Sequence, residues 1–227
     1  MSDEFVLVHS PLVGPSTWDF LAAGLRAGGH RVYVPDLRGT LAGGPPYLPR
    51  QTAAIAQNVG EKPAILVGHS GAGPLLPALG NSLNRVAGYV FIDATLPHPG
   101  RSWVEQAEAE LGEQLMAMAI NGWLPPWPQW WSPAVLAELL PGADLRDRFS
   151  NGCPRLPLKM FEEIQPVVTG WPDAPCAYLQ LSQAYQDMAE TSEVLGWPTR
   201  SLPSHHLAML TDPELVLKAL FDLVARI

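Results

Sequence analysis

The chain has 227 residues, enough for one substantial hydrophobic core with a small accessory module and too few for two full-size domains. Its 14 Lys and Arg stand against 22 Asp and Glu, a net charge of −8, so there is no diffuse basic surface and neither nucleic acid nor a membrane is expected as a partner. The two cysteines, Cys153 and Cys176, form at most one bridge and lack the spacing of a metal site, which argues against a disulfide scaffold or a structural zinc.

The first residues, Met1-Ser2-Asp3-Glu4, carry no basic leader, and no apolar run reaches the ~18 residues of a membrane span, so a soluble, cytoplasmic protein is expected. Phe5 to Val8 reads as a buried strand that ends in the breaker-rich loop His9 to Pro15. Ser16 can cap a helix carrying Trp18, Leu21 and Leu25, which Gly28-Gly29 closes before a second strand at Val32 to Val34. A Gly- and Pro-rich loop, Leu37 to Arg50, leads to a helix-compatible stretch at Gln51 to Val59 and a third strand at Ala64 to Val67. A helix after Ser70 and a strand at Val86 to Ile92 follow. Continuous apolar strands alternating with helices indicate a mostly parallel sheet covered by helices on both faces.

The pattern then breaks. Residues 96–173 hold a Trp- and Pro-rich stretch with helical pieces at Val104 to Met118 and Pro133 to Leu140, too long for a connection and too irregular for another strand-helix unit. It reads as an inserted helical cap, with residues 1–95 and 174–227 as the core. The α/β pattern resumes at Ala177 to Leu181, with a helix at Ala184 to Leu195, a short strand at Thr199 to Leu202, and a terminal helix capped by Asp212 and started by Pro213.

The segment Gly68-His69-Ser70-Gly71-Ala72-Gly73 joins a buried strand to a helix. A serine on so sharp a turn has a strained backbone that needs small residues two before and two after it, and Gly68 and Ala72 meet that need. Ser70 is therefore the candidate nucleophile, and Gly71, whose N–H opens the following helix, a candidate oxyanion donor. A serine hydroxyl needs a neighbouring base. His205 and His206 lie between the last strand and the terminal helix, at the same end of the sheet, and adjacent side chains cannot both point at Ser70.

With these residues in place the chain resembles the α/β-hydrolase superfamily over nearly its whole length: the strand-Gly-His-Ser-Gly-Ala-helix unit, a first strand ending Val8-His9, and His206 before Leu207-Ala208-Met209-Leu210. The resemblance implies an α/β-hydrolase fold with a shortened N-terminal sheet and a helical cap, assigns the base to His206, and leaves His9 and His69 as structural residues. It also exposes two departures. The acid that orients the histidine usually follows the strand at Tyr178 to Leu181, but Ala184 stands at the aligned position. Some members carry it one strand earlier, which selects Asp93, with Asp187 in reserve. The loop after the first strand usually reads His-Gly-X, where X donates an N–H to the oxyanion; here it reads His9-Ser10-Pro11-Leu12, and Pro11 has no N–H. Either Leu12 takes its place through a shifted loop or Gly71 stands alone.

In the cap, Trp103, Trp123, Trp127, Trp130 and Trp131 can offer flat apolar surfaces to a ligand or pack the cap onto the core, and Trp123, Trp127, Trp130 and Trp131 are taken as candidate substrate contacts. Glu162-Glu163 can serve as a polar handle there, with surface solvation the preferred role. No metal-ligand spacing, phosphate loop or dinucleotide fingerprint appears, so no metal or cofactor is expected. The expected activity is that of a serine hydrolase cleaving an ester, thioester or lactone of a moderately large apolar small molecule. Two alternatives stand beside it: a lyase or cyclase using Ser70 and His206 as acid and base without an acyl-enzyme, and a ligand-binding protein with a vestigial triad. The sequence carries no signal for an oligomeric state.

Overall fold

In chain order the strands are β1 (Glu4–Val8), β2 (Arg31–Tyr33), β3 (Ala64–His69), β4 (Val86–Ile92), β5 (Trp123–Leu124), β6 (Leu156–Pro157), β7 (Cys176–Gln180) and β8 (Thr199–Ser201). The computed structural model describes residues 3–107 and 109–227. Six of these strands form one sheet in the order β2-β1-β3-β4-β7-β8, with every neighbouring pair parallel. All of β1 is buried: Phe5 and Leu7 face one apolar layer, Val6 and Val8 the other. That two-sided burial explains the absence of polar alternation in the sequence.

The helices are α1 (Asp19–Ala27), α2 (Leu48–Ala56), α3 (Leu76–Asn81), α4 (Ala109–Met118), α5 (Pro133–Leu139), α6 (Ala143–Gly152), α7 (Gln186–Val194), α8 (Ala208–Thr211) and α9 (Pro213–Val224). Trp18, Leu21 and Leu25 at α1 and Val216, Leu220 and Leu223 of α9 cover one face of the sheet. Ile55 of α2 and Leu76 and Leu79 of α3 cover the other, where Ala189 of α7 also packs.

Local chemistry adjusts several sequence expectations. Pro15–Trp18 forms a 3-10 turn, so α1 begins at Asp19 and Ser16 caps nothing. Ser70–Leu75 is likewise 3-10 before α3 begins, because Pro74 lies inside it and cannot donate to an α-helical ladder. Asp212 flanks α9 but makes no side-chain capping bond; its carboxylate accepts from the Thr211 hydroxyl instead.

Residues 96–173 hold α4 to α6 and the antiparallel pair β5-β6. Two apolar clusters fasten this segment to the sheet's carboxyl end. One joins Leu140 and Phe149 to Val13 and Leu207; the other joins Leu115, Leu124 and Leu156, with Leu12 and Trp130 against them. Both draw on the loop after β1, so that loop lies under the inserted segment. Among the described residues no helix is long and apolar enough to cross a membrane.

Candidate active site

β3 delivers the chain to Ser70, whose φ of 56° lies in the left-handed region. A non-glycine residue held there stores strain, which surrounding bonds must offset. Ser70 N–H donates to the Asp93 carbonyl at 3.2 Å, and Thr95 N–H donates back to the Ser70 carbonyl at 3.1 Å. Asp93 ends β4 with its own φ at 42°, so the two neighbouring strands finish in paired left-handed turns that bond each other. Gly73 makes the close approach possible: a Cβ there would sit 2.0 Å from the Thr95 carbonyl oxygen.

The Asp93 carboxylate is fully buried and accepts four hydrogen bonds. Leu181 N–H and Ser182 N–H reach Oδ1 at 2.7 and 2.9 Å, while Ser182 Oγ and His206 Nδ1 reach Oδ2 at 2.6 and 2.7 Å. Burial alone would raise this carboxyl's pKa, but the bonds from His206, Ser182 and Leu181 together with the histidine's charge hold it below its ordinary value. Accepting all four donors requires the ionised form, so Nδ1 of His206 carries the proton of this bond, and Nε2 is the ring nitrogen that Asp93 leaves unengaged. Asp187 is exposed on α7, where its carbonyl takes the Thr191 hydroxyl.

His205, His69 and His9 are held by other partners. His205 Nδ1 accepts Leu207 N–H at 3.3 Å and its Nε2 pairs with the Thr211 hydroxyl at 2.9 Å. His69 donates from Nε2 to the His206 carbonyl at 3.0 Å and lies 4.4 Å from that ring, beneath the loop it supports. His9 donates to the Ser10 carbonyl and accepts Leu37 N–H, which requires a neutral ring; burial pushes its pKa down to about 4.

Ser70 Oγ pairs not with a histidine but with the Tyr185 hydroxyl, at 3.2 Å. Tyr185 stacks parallel to His206, and burial pushes its phenol up to about 12, against the opposing hydrogen bond to Ser70. The sequence reading does not single out this residue, although it directly follows Ala184, which stands at the position aligned with the usual acid. Its position beside Ser70 depends on β7 and β3 being separated only by β4 in the sheet.

The backbone donors divide unequally. Gly71 N–H lies in the first turn after the elbow, where helices have no acceptor of their own for it. Leu12 N–H, the alternative to Gly71 acting alone, is directed to Ser10 Oγ at 3.3 Å. The loop turns there because Val13 N–H closes on the Ser10 carbonyl at 3.1 Å, drawing Leu12 N–H back onto the Ser10 side chain.

Ser70, Gly71, Ser10 and Tyr185 line a cavity of about 550 Å³ whose walls are mainly apolar. Trp127, Trp130 and Trp131 line it, and Trp103 joins them. Trp123 does not. It alternates in β5 with the buried Leu124, and strand geometry sends the two side chains to opposite faces. Glu163 is neither a free handle nor simply solvated: its carboxylate accepts Tyr47 N–H at 2.7 Å and Leu48 N–H at 3.1 Å, tying the inserted segment to the start of α2.

The alpha/beta hydrolase family model matches residues 5–219. The chain belongs to the alpha/beta hydrolase family. Solved members of this fold align over almost all of both chains. An extracellular alpha/beta-hydrolase from a Paenibacillus species is 22% identical over 97% of this chain and 98% of its own, with a TM-score of 0.76. Tomato methylketone synthase I, solved with 2-tridecanone, is 17% identical over 100% and 99%, with a TM-score of 0.74. A pyrethroid hydrolase from Sphingobium faniae is 20% identical over 99% and 98%, with a TM-score of 0.71. No curated protein sequence matches at a significant level.

Proposed function

We propose that this member of the family is a serine hydrolase of carboxylic esters whose acyl or alcohol part is a moderately large apolar group. The observation that carries the reading is the 2.7 Å bond from His206 Nδ1 to the fully buried Asp93, which holds the imidazole in the tautomer whose Nε2 can take a proton, beside Tyr185 and Trp127, which line the cavity together with Ser70. Ser70 attacks the ester carbonyl as its proton passes to His206, Asp93 stabilises the imidazolium, and the proton returns to the departing alcohol. Water then repeats the sequence on the acyl-enzyme. A side-chain pairing at Ser70 other than with His206 in the free enzyme is compatible with this, because catalytic hydrogen bonds often tighten only with substrate bound.

The cavity volume of about 550 Å³ falls in the range of small-molecule pockets, and its indole walls suit aromatic or branched apolar substrates. Esterase and pyrethroid hydrolase neighbours on the same fold make such esters a reasonable first panel. The test is intact-protein mass after exposure to a fluorophosphonate, with Ser70→Ala and His206→Ala as comparisons, followed by p-nitrophenyl ester turnover. One adduct on the native chain, absent from Ser70→Ala and greatly slowed in His206→Ala, is expected. Turnover of a natural substrate that persists in Ser70→Ala would overturn the reading in favour of chemistry without an acyl-enzyme.

A further inference from the structure

We propose that the side-chain hydroxyl of Ser10 is the second oxyanion donor of this site, held in place by Leu12 N–H and standing in for the donor that Pro11 cannot supply. This rests on the serine-esterase reading above and adds to it a residue that acts on the reacting atoms.

Position is the first support. β1 and β7 lie on opposite sides of β3 in the sheet, so the β1 loop reaches Ser70 from one side while Tyr185, beyond β7, and His206, beyond β8, reach it from the other. The base side and the oxyanion side of the serine are thereby separated. On the β1 side, Ser10 Oγ lies 3.2 Å from where a Cβ on Gly71 would stand, against the residue that carries the first oxyanion N–H. Both residues line the cavity.

Hydrogen-bond accounting is the second support. A hydroxyl has one proton to give and two lone pairs. Leu12 N–H occupies one lone pair of Ser10 Oγ at 3.3 Å, and among the described residues no acceptor takes the Ser10 proton, although the residue is only 1% exposed. A buried donor without an acceptor calls for an explanation, and an anionic oxygen formed only during reaction supplies one. The arrangement is also cooperative: the N–H donating into Ser10 Oγ polarises the O–H that points onward.

The step balances without further reagents. As Ser70 Oγ bonds to the carbonyl carbon and its proton moves to His206 Nε2, the carbonyl π pair moves onto oxygen, where Gly71 N–H and Ser10 O–H donate to it. Collapse returns that pair, breaks the bond to the alkoxide, and delivers the proton from His206 to the leaving oxygen.

The experiment compares native protein, Ser10→Ala, Ser10→Thr and the double variant Ser10→Ala/Pro11→Ala, using p-nitrophenyl butyrate, a trifluoromethyl ketone that forms a hemiketal oxyanion, and fluorophosphonate labelling of Ser70. Ser10→Ala should lower kcat by about 10²-fold with KM within threefold, since losing one such donor typically costs roughly 10²–10³ in rate. Affinity for the trifluoromethyl ketone should fall in parallel with kcat/KM, which a purely structural role for Ser10 would not produce. Ser10→Thr should stay within tenfold of native, and restoring a backbone N–H at position 11 should recover part of the loss. If native protein is labelled at Ser70 and Ser10→Ala matches it within threefold in kcat and ketone affinity, the Ser10 role is overturned and the esterase reading stands. If native protein neither labels nor turns over esters, both fall.

Discussion

The Tyr185 ring lies parallel to that of His206, with 2° between planes and 5.0 Å between centroids, and its hydroxyl reaches Ser70 Oγ at 3.2 Å. One side chain thus contacts both halves of the proposed nucleophile-base pair. On the proposed mechanism its hydroxyl occupies the serine oxygen whose proton His206 must take. Tyr185→Phe keeps the stacked ring and removes that competition, so the rate constant for fluorophosphonate labelling of Ser70 should rise. The gain should not exceed about tenfold, since one hydrogen bond is worth roughly 0.5–1.5 kcal/mol net. A marked fall would show instead that the phenol assists the attack.

Asp93 is fully buried and accepts four donors, and an amide in its place would turn an NH₂ group toward at least one of them. Asp93→Asn should therefore lose about 10³–10⁴-fold in kcat, because the wrong imidazole tautomer becomes favoured. It should also lose stability, by about 1–3 kcal/mol for the mispaired buried group. Asp187→Asn, on the exposed face of α7, should change neither kcat nor the thermal midpoint, and kinetics together with melting curves of the two variants check the contrast.

Two of the tryptophans in residues 96–173 part company in the folded chain. Trp127 lines the cavity and packs near His206 and Phe149, whereas Trp123 lies outside the cavity in β5. Trp127→Ala should raise KM for bulky apolar esters by about tenfold or more, as expected when a hydrophobic contact worth about 1–3 kcal/mol is withdrawn. Trp123→Ala should leave KM within twofold. Steady-state kinetics on an aromatic and an acetyl ester distinguish the two, with the Trp127 effect largest on the aromatic one.

Gly73 sits where the elbow meets the Asp93 turn, and an added Cβ would come 2.0 Å from the carbonyl oxygen of Thr95, the residue whose N–H is bonded to the Ser70 carbonyl. Gly73→Ala should lower the thermal midpoint, with overpacking of this kind costing typically about 1–3 kcal/mol. It should also slow Ser70 labelling, because the strained serine loses its brace. An unaltered melting curve would contradict this account of the elbow.

Stability should fall between pH 7 and pH 5. His9 is held neutral in the fold, its pKa pushed down to about 4 by burial, and His69 is depressed as well, by burial and by the neighbouring His206. The unfolded chain takes up protons at about pH 6.5 where the folded chain cannot, so each such histidine removes about 1.4 kcal/mol per pH unit below that point. Asp93 shifts the other way: its depressed folded pKa adds stability that is fully present above about 3.9 and is lost only in stronger acid, so it does not contribute in this window. Urea midpoints at pH 7.5 and 5.5 provide the check, and equal midpoints would refute the assignment of neutral buried rings.

Much of this protein was determined by local sequence. Apolar runs such as Phe5 to Val8 and Val86 to Ile92 must be buried on both faces, so a parallel sheet follows from composition and spacing alone. The strand-Gly-His-Ser-Gly unit dictates a strained turn because its chemistry is contained in six consecutive residues, and Pro11 announces a missing N–H by its identity. What only the tertiary structure decided depends on distances between parts far apart in the chain. Asp93 meets His206 across 113 positions, and Tyr185 meets Ser70 across 115, because sheet order places β3, β4, β7 and β8 side by side. Leu12 N–H turns onto Ser10 Oγ for a similar reason: which way a loop N–H points is set by the bonds and packing of the folded loop, and no residue type encodes it. Trp123 and Trp127 are the same residue in the same proline-rich run, and only the pairing of β5 with β6 sends one away from the cavity that the other lines.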